Sequence, residues 1–135
     1  MNKEELQEYI EENLVEDDTL IGFYQAQVPM KFWLFFVVGP FAALSMKFYM
    51  VAVSEKGVYF HKLSLWGKIA QSDFFAYNEI EGLQIGKGML QRPMTFFFDN
   101  TRKLYLRGQL KGTSKVAKFE PQVQEYLEQH IEIRD

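Results

Sequence analysis

The sequence predicts a mainly β fold with a helix at each end, and three observations carry that prediction. Between Phe48 and Ile85 the chain reads FYMVAV, SEKG, VYFHKLSL, WG, KIAQSDFFAY and EGLQI, short strand-like runs separated by turn residues. Both ends of the chain are acidic and carry apolar residues at helical spacing. Between the first two strands lies a stretch too apolar for an ordinary loop, FWLFFVVGPFAALSM.

At 135 residues the chain suits one domain, burying about two-thirds of its unfolded surface. Aromatic residues reach 16%, with 13 phenylalanines, and so many rings need a thick core, a subunit interface or an apolar ligand to cover them. Without cysteine, disulfides and thiolate metal sites are excluded, and a reducing compartment is compatible. The start MNKEELQEYIEEN is acidic and amphipathic, whereas a secretory signal has a basic start and then an apolar run. The expected location is the cytoplasm, with the inner face of the membrane as the alternative.

The net charge of −3 conceals a segregation: residues 1–30 carry −7, residues 31–118 carry +8 and residues 119–135 carry −4. The favoured explanation is that the acidic ends neutralise the basic centre, on the same molecule or on a neighbouring one. The alternative is a basic face for an anionic lipid or nucleic acid.

In chain order, Leu6, Tyr9, Ile10 and Leu14 recur at helical spacing, predicting a surface helix over roughly residues 3–14 that docks on the sheet or on another chain. Thr19 to Val28 reads as a strand, with Leu20, Tyr24, Ala26 and Val28 on one face, and Pro29 ends it for want of a backbone donor. The fifteen uncharged residues Phe32 to Met46 would make roughly 22 Å of helix, short of the roughly 30 Å hydrocarbon core of a bilayer. Gly39-Pro40 also breaks them, so a transmembrane span is not expected. Burial within the domain is the first expectation for this insertion. Burial against a partner is second, and shallow membrane insertion third. Trp33, Phe35, Phe36 and Phe41 are its candidate interface or membrane residues.

The next strand is apolar on both faces (Tyr49, Val51, Val53 against Phe48, Met50, Ala52) and is therefore placed centrally. Ser54-Glu55-Lys56-Gly57 is read as a tight turn closed by a positive-φ glycine. Val58 onward returns, Trp66-Gly67 turns again, Lys68–Tyr77 forms a strand, and Asn78-Glu79 steps into Ile80–Ile85. Met89–Phe98 is a strand whose Pro93 predicts an edge or bulge. Asp99-Asn100 makes a two-residue turn into Arg102–Arg107, where Leu104 and Leu106 face in. Lys103, Tyr105 and Arg107 face out and, with Lys111, form the candidate anion-binding patch. Val116, Phe119, Val123, Leu127 and Ile131 predict a C-terminal helix from Thr113-Ser114, with Pro121 kinking it or marking its true start.

The runs MVAVSEKGVYF and FAYNEIEGLQI resemble bacterial pleckstrin-homology-like domains and their GRAM-like relatives. There a V-x-V-T-x-x-G-V-x-F hairpin precedes an I/F-x-Y-x-E/D-I step. Val51, Val53, Gly57, Val58 and Phe60 match the hairpin, with Ser54 in the threonine position, and Phe75, Tyr77, Glu79 and Ile80 match the step. The order of elements corresponds over residues 18–131, and the matching motifs concern packing and turns, so they say little about function. The resemblance implies a barrel of about seven antiparallel strands in two near-orthogonal sheets, plugged at one end by the C-terminal helix. Its layout here is an N-terminal helix in residues 1–16, a barrel over 18–112 with an insertion at 30–47, and a helix over 113–132. The insertion departs from the plain pattern, which has a short loop there.

No catalytic residue, cofactor or metal site is predicted. His61 and His130 lie in different elements without cysteine companions. Gly86-Lys87-Gly88 lacks the spacing and the Ser or Thr of a phosphate-binding loop. The expected role is a non-catalytic protein-interaction or self-assembly module, with itself or another protein as partner. The alternative is a peripheral module for an anionic membrane, and nucleic acid ranks below both.

Overall fold

The structure, a computed structural model, describes residues 3–28, 47–63, 68–98, 102–111 and 117–134. Helix α1 (Lys3–Glu12) precedes strands β1 (Leu20–Val28), β2 (Lys47–Ser54), β3 (Gly57–Leu63) and β4 (Ile69–Ala76). A 3-10 turn, Tyr77–Glu79, leads to β5 (Gly82–Ile85), β6 (Gln91–Phe97), β7 (Lys103–Gln109) and helix α2 (Pro121–His130). The Phe32–Met46 insertion, the Trp66-Gly67 and Asp99-Asn100 turns and the Thr113-Ser114 cap lie outside the described residues.

All seven strands join one antiparallel sheet in the order β4-β3-β2-β1-β7-β6-β5, where two sheets were expected. The sheet curls strongly. Phe60 on β3 and Phe96 on β6 are four strands apart in hydrogen-bonding order, about 19 Å if flat, yet their ring centroids are 5.1 Å apart. Phe75, at the end of the edge strand β4, stacks on Phe98 at 4.2 Å. Among the described residues β4 and β5 do not pair, so the sheet remains open along one seam.

The curl gives the sheet an inside and an outside, and strand alternation sorts the side chains between them. Inside are Tyr24, Val51, Val53, Val58, Phe60, Leu83, Met94, Phe96 and Leu106, sealed by Phe119, Val123, Leu127 and Ile131 from the C-terminal segment. Outside, Met50, Ala52 and Tyr59 are covered by Leu6 and Ile10 of α1. β2 is thus buried on both faces, as its double apolar pattern required, and α1 docks on its own sheet.

Several expectations are corrected. A bulge between Leu20 and Gly22 shifts the register of β1, so Leu20 packs with the outer cluster and Ile21 with the inner one. Gly57 does not have a positive φ; Asp17, at φ 61°, is the non-glycine residue that does. Glycine is needed at 57 for space, because a Cβ there would sit 2.2 Å from the Phe75 carbonyl oxygen across the β3–β4 ladder. The turn is instead tied by Ser54, whose Oγ donates to the Gly57 carbonyl at 3.0 Å and accepts from its N–H at 3.2 Å. Pro93 lies on an interior strand, but its carbonyl accepts from Gly86 N at 2.8 Å just past the end of β5, so its missing donor costs no ladder bond.

The C-terminal helix starts at Pro121, where the ring's fixed φ suits the first turn. Residues 117–120 are extended, not helical as read from the apolar stripe, and Ala117 and Phe119 bond to Gln25 and Gln109. Past α2 the tail pairs in parallel with β5 at Leu83 and Ile133, an element the sequence reading missed.

Candidate functional site

The strands bring three connections to one end of the curled sheet. Val28 pairs with Lys47, Leu63 with Ile69 and Phe97 with Lys103, and Phe48 pairs with Leu63 across β2 and β3. The other end is closed by α2, which approaches so closely that a Cβ on Gly22 would lie 2.6 Å from Val123 Cγ2. The sequence that leaves and re-enters at the open end carries Lys31, Lys47, Lys62, Lys68, Arg102 and Lys103 against one acid, Asp99. At the closed end stand Glu55, Glu79, Glu120, Glu125 and Glu128, against two bases, Lys56 and Lys118. The molecule is therefore polarised along the axis of the curl.

Along the seam between β4 and the β6–β7 strands lies a groove of about 450 Å³ lined by Tyr49, Phe60, Phe75, Phe98 and Leu104, with Asp73, Arg102 and Lys103 at its rim; Arg102 and Lys103 stand toward the open end, and Phe75, paired with Val58, toward the other. Strand alternation puts Asp73 on the inward face with Phe75, where Gln71 Nε2 donates to its carboxylate at 3.2 Å. Burial and the Asp73 charge both raise the Tyr49 pKa. Among the described residues the groove joins aromatic walls to a rim of two cations and one carboxylate. Apart from Lys103, the groove residues were not singled out as a site in the sequence. Their signal was present as the alternation of Phe96 and Phe98 and of Asp73 and Phe75, but the curl that joins them is a tertiary fact.

The predicted sites separate into two. Trp33, Phe35, Phe36 and Phe41 lie outside the described residues, in the stretch that issues from the open end. Lys103, Tyr105 and Arg107 share the outer face of β7 as predicted, and Lys111, past its end, is exposed like the other three. Lys103 also reaches the groove rim, so it alone belongs to both.

The histidines are structural neighbours of aromatic rings. His61, 2% exposed, lies beneath α1, with Tyr9 edge-on at 5.6 Å and Tyr59 stacked at 6.1 Å. Its Nδ1 shares a 2.8 Å hydrogen bond with Ser72 Oγ, its Nε2 has no partner, and burial lowers its pKa. His130 stacks on Tyr126 at 4.1 Å. Tyr59 donates to Asp18 at 2.6 Å and accepts from Val15 N at 2.9 Å; burial, reinforced by Asp18, pushes its pKa up to about 12. Burial would raise Asp18 too, but hydrogen bonds from Ser54, Tyr59, Thr19 and Lys56 outweigh it and hold this carboxyl below its ordinary range. No group of three His, Asp or Glu side chains suited to a metal occurs among the described residues.

The described residues define a curled seven-stranded antiparallel sheet with one end plugged by α2 and an aromatic groove along its seam. No protein-family model and no curated protein matches the sequence. Among solved structures, the hSac2 domain from the human phosphoinositide phosphatase Sac2 is similar, with a TM-score of 0.54 at 12% identity. The match covers 93% of this chain and 76% of that one, and at such identity it is a likeness of fold alone.

Proposed function

We propose that this chain is a non-catalytic pleckstrin-homology-like module that attaches to an anionic membrane surface by its open end. The observation that carries the reading is the polarity of the molecule. Lys62, Lys68, Arg102 and Lys103 lie toward the end where β1 leaves and β2 returns, and the connecting sequence there adds Lys31, Lys47 and fifteen uncharged residues, while five glutamates outnumber Lys56 and Lys118 toward the end closed by α2. A dipole of this kind orients a protein on a negatively charged surface, each base near the surface adding about 1 kcal/mol. Trp33, Phe35, Phe36 and Phe41 then supply the interfacial side chains, and Arg102 and Lys103 flank the groove. No helix among the described residues is long and apolar enough to cross a membrane. The module then works at the inner face of the membrane, from the cytoplasm.

This reverses the order of the two roles expected from the sequence. Self-assembly drew support from the aromatic excess and from acidic helices that could meet the basic centre of another molecule, while α1 and α2 each spend their apolar stripe on their own sheet. A surface for protein partners remains on β5 to β7 and is argued separately below.

Co-sedimentation with vesicles of mixed phosphatidylcholine and phosphatidylglycerol tests the reading. The chain is expected to pellet with the anionic vesicles at low salt and to be released at high salt. Lys31→Glu/Lys47→Glu and Trp33→Ser are each expected to weaken binding, and Glu125→Lys to leave it intact. A chain that stays in the supernatant at low salt, or binds neutral vesicles equally, overturns the proposal.

A further inference from the structure

The outer face of the sheet is clothed on one half only. Over β2 and β3 lies α1, with Leu6 and Ile10 buried against Met50, Ala52 and Tyr59. Over β5, β6 and β7 the described residues place little more than the end of the tail, where Arg134 lies 4.6 Å above the Phe97 ring. That half carries exposed Met89, Leu90, Tyr105 and Ile133, with Met89 82% exposed. Two shallow clefts of about 330 and 320 Å³ meet at Tyr105, one lined by Ile133 and Arg134, the other by Lys87, Leu90 and Arg107. No carboxylate among the described residues pairs with Lys87, Lys103 or Arg107.

The same chain carries a surface of complementary charge and pitch. α1 exposes Glu4, Glu8 and Glu12, four residues apart and so in one row, and its last turn holds no base. Like charges at that spacing oppose the helix, and a cationic surface relieves them. Successive members of the row are about 6 Å apart along the helix axis. Alternate residues of a strand, such as Lys103, Tyr105 and Arg107, are about 6.8 Å apart. We propose that the glutamate row of α1 docks into the trough over β5–β7 of a second copy of this chain, against Lys103, Arg107 and Lys87, with Tyr105 at the centre.

The two surfaces occupy different parts of one molecule, so the contact is head-to-tail and builds rings or open strings. The free face of a helix about 15 Å long is small beside the roughly 800 Å² per partner of a stable complex. The association is therefore concentration-dependent and weakened by salt. It shares only Lys103 with the groove rim and does not rest on the membrane reading.

Sedimentation equilibrium of the full chain over a wide concentration range tests it. The average mass is expected to rise with concentration at low salt and to return to the monomer at high salt. Lys87→Glu/Arg107→Glu and Glu8→Lys/Glu12→Lys should each stay monomeric alone, and an equimolar mixture of the two should associate again. All four positions are exposed, so melting temperatures near the wild type are expected. If a charge reversal unfolds the chain, Lys87→Gln/Arg107→Gln serves in its place and must lower the association at least several-fold. A wild type that is monomeric throughout overturns the proposal, as do variants that associate unchanged and a mixture that stays silent while the wild type assembles. Retention of a monomer on anionic vesicles through Lys87 and Arg107 also overturns it, by giving this face to a membrane.

Discussion

The two ends of the curled sheet are built from the same strands, yet they are finished differently. At the closed end, α2 lowers Val123 and Leu127 into the core, Gly22 gives up its side chain to let the helix approach, and glutamates face the water. At the other end the connections between the strands are basic in sequence, and Phe75 and Phe98 stack half-buried along the seam that leads to it. The proposed attachment uses that end. Stability and function are expected to divide along the same axis.

Substitution tests that division, beginning with the largest effect. Leu127→Ala, at a fully buried position under α2, should cost about 2–5 kcal/mol in denaturant unfolding. Phe98→Ala on the groove wall should cost less, about 1–2 kcal/mol, since it removes a ring that is only half-buried, with its contacts to Phe75, Phe60 and Phe96. It should weaken vesicle binding in addition. Equal losses at the two positions would break the contrast between the ends. Asp18→Asn, which loosens the tie between the 54–57 turn and β1, should cost about 1 kcal/mol at neutral pH.

Acid sharpens the comparison. The Asp18 carboxyl is depressed in the folded state, so its contribution is fully present above the ordinary 3.8 and is lost as pH falls below that value through the folded pKa. Asp18→Asn should flatten the acid limb of a stability–pH curve. The His61 pKa is also depressed, so the unfolded chain takes up a proton first. Stability should therefore decline as pH falls below 6.5, and His61→Phe should remove that earlier slope. An identical pH profile in the His61 variant would show that this buried ring does not titrate with unfolding. The smallest effect is expected for Tyr24→Phe. The buried hydroxyl donates only to Met94 Sδ at 3.0 Å, and its loss should change stability by about 1 kcal/mol or less.

Much of the architecture was legible because strand alternation and turn residues are local signals. The two-sided burial of β2, the outward Lys103, Tyr105 and Arg107, and the docking stripe on α1 follow from period alone. Three features escaped because they depend on distant partners. Crowding at Gly57 comes from β4, the bulge at Leu20–Gly22 from pairing with β2, and the extended 117–120 segment from bonds to β1 and β7. The aromatic groove escaped for the same reason. Phe60, Phe75 and Phe98 are far apart in sequence, and only the curl makes them one wall.

The pairing of the tail with β5 has a protective consequence. Leu83 donates its N–H to the Glu132 carbonyl at 2.9 Å and accepts from Arg134 N at 2.8 Å, so at this residue the border of the sheet offers no free backbone groups to a passing strand. A chain cut after His130 would bare the Leu83 N–H and carbonyl, and its loss of solubility would exceed what the few missing side chains explain. The last residues thus behave as a sacrificial hem that keeps neighbouring molecules from stitching themselves on.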